Sequence, residues 1–139
     1  MTIDLYQDAI RALAQSGRTD SRLAAPDRSV TLDNPLCGDR VTIDLHLDGD
    51  RVMAVGHEVR GCLLCEASAA LAADAAPGRD VAEFAGISKR IKAYLADRAD
   101  TAPPLTGMEV FAPARAFRSR HRCVTLAFEA LERALREPS

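Results

Sequence analysis

Residues 41–48 constrain the fold more than any other stretch of this chain. Val41, Ile43, Leu45 and Leu47 alternate with Thr42, Asp44, His46 and Asp48. Successive side chains of a strand point to opposite faces, so the pattern predicts a strand with one buried face. Asp48-Gly49-Asp50 follows as a hairpin turn. The chain then returns over 52–59, with Met53, Val55, His57 and Val59 expected on one face. The sheet is therefore small and antiparallel. The residues before the first strand of a hairpin are neighbours of those after the second. That rule brings Asn34-Pro35-Leu36-Cys37-Gly38-Asp39 and Gly61-Cys62-Leu63-Leu64-Cys65 to one side of the sheet.

The rest of the chain reads mainly as helix. Ile3, Leu5, Tyr6, Ile10, Leu13 and Ala14 recur at helical spacing over 3–14, and the helix should end near Ser16-Gly17. Residues 17–28, polar and containing Gly17 and Pro26, form a connector. Ser29 to Leu32 predict a short strand leading into the Cys37 turn. After Gly61 an Ala- and Leu-rich helix spans 63–75 and stops at Pro77-Gly78. A second runs from Val81 to Ala96 with Phe84, Ile87, Ile91 and Leu95 inward. Residues 97–107, with Pro103, Pro104 and Gly107, form a loop, and a helical turn is expected near Glu109 to Phe111. The last helix runs from about Arg122 to Leu135, with Cys123, Leu126, Ala127, Ala130, Leu131 and Ala134 in one apolar stripe. The class is α+β, a small antiparallel sheet packed against helices. A length of 139 residues predicts a single domain, with 1–28 as N-terminal helix and connector and 29–137 as core.

Composition narrows the function by exclusion. The net charge of -2 offers no chain-wide basic field for nucleic acid. No apolar run approaches the roughly 18 to 20 residues of a membrane helix. Met1-Thr2-Ile3-Asp4-Leu5-Tyr6 lacks the basic and apolar regions of a secretory signal, which predicts a cytoplasmic protein. In a reducing compartment the 4 cysteines are ligands, nucleophiles or core residues rather than disulfides.

Each thiol has a plain reading and a chemical one. In the Cys37 turn, Pro35 pushes Asn34 out of the α region and Gly38 permits a sharp bend. Asp39 could simply bond its own backbone there. A cysteine in a polar turn gains little from burial, however, so its reactivity explains it better. Cys62 begins a helix, where backbone N–H groups favour the thiolate, or it is a small buried residue. Cys65 lies one turn on, and Cys62-x-x-Cys65 invites a thiol oxidoreductase reading, but the βαβ context of that motif is missing. Leu63, Leu64 and the alanines around Cys65 favour a packed side chain.

Cys123 is either a core thiol or one tuned by Arg118, Arg120, His121 and Arg122, whose charge would also dock an acidic partner. His46 falls on the polar face of its strand and His57 on the apolar face of the next, so neither reads as a ligand. A zinc deaminase is set aside, because His57-Glu58 lacks the spacer of His-x-Glu and Gly61 stands where proline belongs. Together Cys37, Asp39, Cys62 and Cys123 offer three sulfurs and one oxygen. That set suits a tetrahedral zinc site or an iron–sulfur centre, with Arg120, His121 and Cys65 as auxiliary candidates.

These residues resemble the IscU/NifU N-terminal scaffold family of iron–sulfur cluster assembly, and most nearly its SufU-like branch. The resemblance rests on Asn34-Pro-Leu-Cys-Gly-Asp39-Arg-Val, the hairpin with Leu47-Asp-Gly-Asp50, Gly61-Cys62 with Ala67-Ser68-Ala69, and Cys123-Val-Thr-Leu-Ala-Phe-Glu-Ala-Leu131. It covers about residues 30 to 135, and the long interval from Cys62 to Cys123 is similar to the SufU-like insertion. It implies convergence of the three cysteines and the aspartate at one edge of an α+β fold. It also implies a sulfur acceptor or scaffold rather than a free-standing enzyme. The implied partners are a cysteine desulfurase and downstream cluster recipients. For SufU-like members it implies zinc on ligands matching Cys37, Asp39, Cys62 and Cys123, with Cys37 taking sulfur as a persulfide. The alternatives it leaves are a [2Fe–2S] cluster or iron on a true scaffold, or a structural zinc module. Ala116-Phe-Arg-Ser-Arg120 replaces the Leu-Pro-Pro-Val-Lys chaperone signal, and Ala12-Leu-Ala-Gln-Ser-Gly-Arg18 the usual end of the first helix.

Overall fold

The computed structural model describes residues 2–17, 22–35, 38–96 and 103–136. Leu36 and Cys37 lie outside the described residues, as do parts of the expected connector and of the loop before Gly107. The order of elements is α1 (Thr2–Gly17), β1 (Arg28–Asn34), β2 (Asp39–Asp48), β3 (Arg51–Arg60), α2 (Leu63–Ala75), α3 (Val81–Ala96), a 3₁₀ helix (Met108–Ala116) and α4 (Arg118–Arg136).

The sheet is antiparallel in the order β1-β2-β3, so the alternating segment is its central strand. Val41, Ile43 and Leu45 are fully buried, against the side where α4 packs on β1 and β2. The expectation of a single buried face needs correcting, because Thr42 and Asp44 are buried on the opposite side. The Thr42 hydroxyl meets that of Thr31 at 2.9 Å across the β1 pair. Asp44 is covered by the connector, as Arg22 reaches it through two hydrogen bonds of 3.0 Å.

A second correction concerns β3. Met53 does not share a face with Val55, His57 and Val59; it is 61% exposed while Val52 is buried. Leu47 pairs with Val52 but His46 with Ala54, so Met53 is an extra residue in β3. Such a bulge switches the phase of the alternation.

Helix α2 carries buried residues around most of its circumference, including Leu64, Cys65, Ala67, Ser68, Ala69, Ala70, Leu71 and Ala72. It lies between α1, α4 and β3, and its small side chains permit that enclosure. The buried Ser68 hydroxyl donates to the Val124 carbonyl, fastening α2 to α4 one residue after Cys123. Phe84 of α3 and Phe128 of α4 stack with ring centroids 6.0 Å apart. Helix α4 begins at Arg118, four residues before the apolar stripe suggested. Its opening turn is polar, so hydrophobic periodicity does not report it, although the Arg120 N–H already bonds the Phe117 carbonyl at 2.9 Å.

Candidate metal centre

Two tight connections and one helix face build the site. Asn34 pairs with Asp39 as the last rung between β1 and β2, leaving residues 35–38 as the hairpin connection. The Gly38 N–H bonds the Asn34 carbonyl at 2.8 Å, and Gly38 adopts φ 75°, a value glycine accepts without strain. Arg40 pairs with Arg60 on the other side, so Asp39 faces the exit of β3 at Gly61 and Cys62. Asp33, Asn34, Gly38, Asp39 and Arg60 border an open depression of about 430 Å³.

Cys62 caps the N-terminus of α2 in an extended conformation, φ -75° and ψ 163°. Its sulfur accepts the Cys65 N–H at 3.4 Å, the bond that Ser or Asp usually makes at this position. The Cys62 N–H donates to Asp39 Oδ1 at 2.9 Å, and its thiol lies 3.6 Å from Asp39 Oδ2. Cys123 enters from the second turn of α4 and is 3% exposed. One ligand atom from each of Asp39, Cys62 and Cys123 lies within 4.8 Å of the other two. Residues distant in the chain thus meet as two sulfurs and one carboxylate.

Burial pushes the Cys62 thiol up from its ordinary value, and the charge of Asp39 adds to the push. The Cys65 N–H and the Cys123 side chain pull only partly the other way. The backbone donor at the helix start does favour the thiolate, as expected, but desolvation and a neighbouring anion outweigh it. A cation among these groups would remove the conflict.

The other candidates fall elsewhere. Cys65 is fully buried, in the core, as its apolar neighbours suggested. His121 Nε2 lies 3.1 Å from the Arg115 carbonyl and is not in the ligand cluster of the described residues. Arg118 and Arg120 are exposed on the first turn of α4, while Arg122 pairs with Glu129 at 3.1 Å. Cys37, two residues before Asp39, lies outside the described residues. Sequence reasoning missed two supports. Gly61 and Ser68 enter the sequence argument only through motifs, because neither residue type declares a distant partner.

The NifU-like N terminal domain model matches residues 5–137. This chain belongs to that family. It is 32% identical over 107 residues to the zinc-dependent sulfurtransferase SufU of Bacillus subtilis, covering 76% of this chain and 73% of that one. It is 28% identical over 109 residues to the iron–sulfur cluster assembly scaffold protein IscU of Streptococcus pyogenes, covering 78% and 69%. A crystal structure of a nitrogen-fixing NifU-like protein (N-terminal) from Brucella abortus superposes with a TM-score of 0.83 at 28% identity, over 96% of this chain and 93% of that one. The family and its α+β fold agree with the expectation from sequence, and the family is one of iron–sulfur cluster assembly.

Proposed function

We propose that this protein accepts sulfur from a cysteine desulfurase for iron–sulfur cluster assembly, at a zinc site formed by Cys37, Asp39, Cys62 and Cys123. The observation that carries the reading is the meeting of Asp39, Cys62 and Cys123 within 4.8 Å. Two thiols and a carboxylate match the donors zinc takes, and Cys37 in the adjoining connection supplies a fourth. The raised Cys62 thiol fits as well, since burial and the charge of Asp39 oppose its thiolate and a cation there would relieve both. Zinc bound there would keep the thiolates deprotonated and shielded at neutral pH.

Cys37 is the acceptor in this reading. Its thiolate attacks the terminal sulfur of the desulfurase persulfide. A new S–S bond forms on Cys37, the old one breaks, and the desulfurase cysteine leaves as a thiolate. Cys62 and Cys123 hold the site together, and Asp39 is the one oxygen donor. Arg118 and Arg120 offer positive charge for an acidic face of the donor. The protein is thus a sulfur carrier serving cluster recipients rather than a free-standing enzyme. No described helix is long and apolar enough to cross a membrane, and we place the protein in the cytoplasm.

The likeness to IscU scaffolds supports a second reading, in which the same donors hold a [2Fe–2S] cluster as cargo. Metal and labile-sulfide analysis of protein purified without oxygen separates the two. One zinc per chain and a persulfide on Cys37 after incubation with desulfurase and cysteine support the first. Iron with labile sulfide supports the second. Zinc without sulfur uptake leaves a structural zinc module, and neither metal nor persulfide overturns all three.

A further inference from the structure

Glycine at position 61 has no explanation in the fold. The residue is exposed at the bend between β3 and α2 and is not among the glycines with positive φ, so no left-handed backbone calls for glycine there. What excludes a side chain is the site itself. A Cβ on Gly61 would collide with Asp39 Oδ1 and stand 2.8 Å from its Cγ and 3.0 Å from its Cβ. By contrast, a Cβ on Gly86 of α3 would meet nothing within 4 Å.

We propose that Gly61 is a positioning residue for the Asp39 carboxylate: the missing side chain lets the carboxylate lie against the backbone and be held there. The close approach allows the Cys62 N–H to take Oδ1 at 2.9 Å. With that oxygen occupied, Oδ2 is the one turned toward the Cys62 thiol, at 3.6 Å. The strand register fixes the carboxylate from the other side, because the Arg40–Arg60 pair sets Asp39 opposite Gly61. Asp39 is thereby oriented before any ion arrives, with Oδ2 toward the Cys62 sulfur. This deepens the metal-site reading above and rests on it only for the metal readout.

The test is a double-mutant cycle of Gly61→Ala, Asp39→Ala and the double variant, with two readouts. The first is the Cys62 amide resonance in metal-free protein; loss of its bond to Oδ1 should move it upfield alike in both single variants. The second is Co²⁺ affinity, followed by thiolate-to-cobalt absorption. Gly61→Ala should weaken Co²⁺ about 10- to 100-fold, the range for residues that orient a ligand. The same change in the Asp39→Ala background should cost less than about twofold, because an effect acting through Asp39 vanishes with it. If Gly61→Ala alone fails to fold and the double variant folds, the clash with Asp39 is likewise established. An unmoved Cys62 amide in Gly61→Ala, an equal Co²⁺ loss in both backgrounds, or misfolding of both Gly61 variants overturns the proposal. If the native protein binds no Co²⁺, the metal reading fails while the amide shift still decides the role of Gly61.

Discussion

Two aspartates on β2 sit five residues apart, both withdrawn from solvent, in opposite chemical company. Asp44 is fully buried and saturated: Arg22 donates twice at 3.0 Å, the Ser29 hydroxyl at 2.6 Å and the Leu23 N–H at 3.1 Å. Those donors hold its carboxyl below the usual range despite burial, the largest single influence, which acts the other way. Asp39, 1% exposed, instead meets the Cys62 N–H and thiol beside a second sulfur. A carboxylate answered by a guanidinium fastens structure. One turned on thiols keeps the company of groups that could share a cation.

The comparison predicts separable losses. The largest is in metal binding: Asp39→Ala or Cys123→Ser should lower zinc affinity more than about 100-fold, beyond the cost of removing an outer partner, with the fold retained. Competition with a chromophoric chelator measures it, and native affinity in either variant would break the contrast. Next comes Asp44→Ala, which should cost about 1–3 kcal/mol in urea unfolding, because the donors it strands are only part-buried, while leaving zinc stoichiometry intact.

The Asp44 contribution also depends on pH with a definite sign. Its folded value lies below its unfolded one, so the stabilisation is complete above the ordinary carboxylate value of about 3.9 and is lost as pH falls through the folded value. Asp44→Asn should therefore flatten the acid limb of a stability-against-pH curve. An unchanged limb would place the acid sensitivity elsewhere.

Cys65→Ala should cost only about 1–2 kcal/mol, as a small core truncation, and leave persulfide formation unaltered. Loss of sulfur uptake in that variant would return Cys62-x-x-Cys65 to a chemical role. Smallest is Asp33→Asn, which breaks the exposed Arg40 pair at 2.7 Å and should leave the urea midpoint unmoved; a clear shift would show that the pair contributes more than exposed pairs do.

Local patterns were legible where they decide the structure locally. The expected bounds of α2 and α3 coincide with the observed helices, and the Asp48-Gly49-Asp50 turn joins Asp48 to Arg51 as a hairpin. The Met53 bulge was not legible, because it is an event between strands and one strand's alternation does not contain it. The Cys62 environment misled for a similar reason: a helix start was visible in the sequence, but the burial and the anion acting against it come from elsewhere.

By itself, the sequence determined the hairpin, the helices and the family to which the chain belongs, since these follow from periodicity, turn residues and ordered motifs. Only the tertiary structure decided how closely Cys123, far along the chain, approaches Cys62 and Asp39, that Met53 bulges out of the β3 pairing, and that a side chain at position 61 would strike Asp39. Propensity and patterning act over a few neighbours, whereas ligand distances and steric exclusion depend on which distant backbones packing brings together.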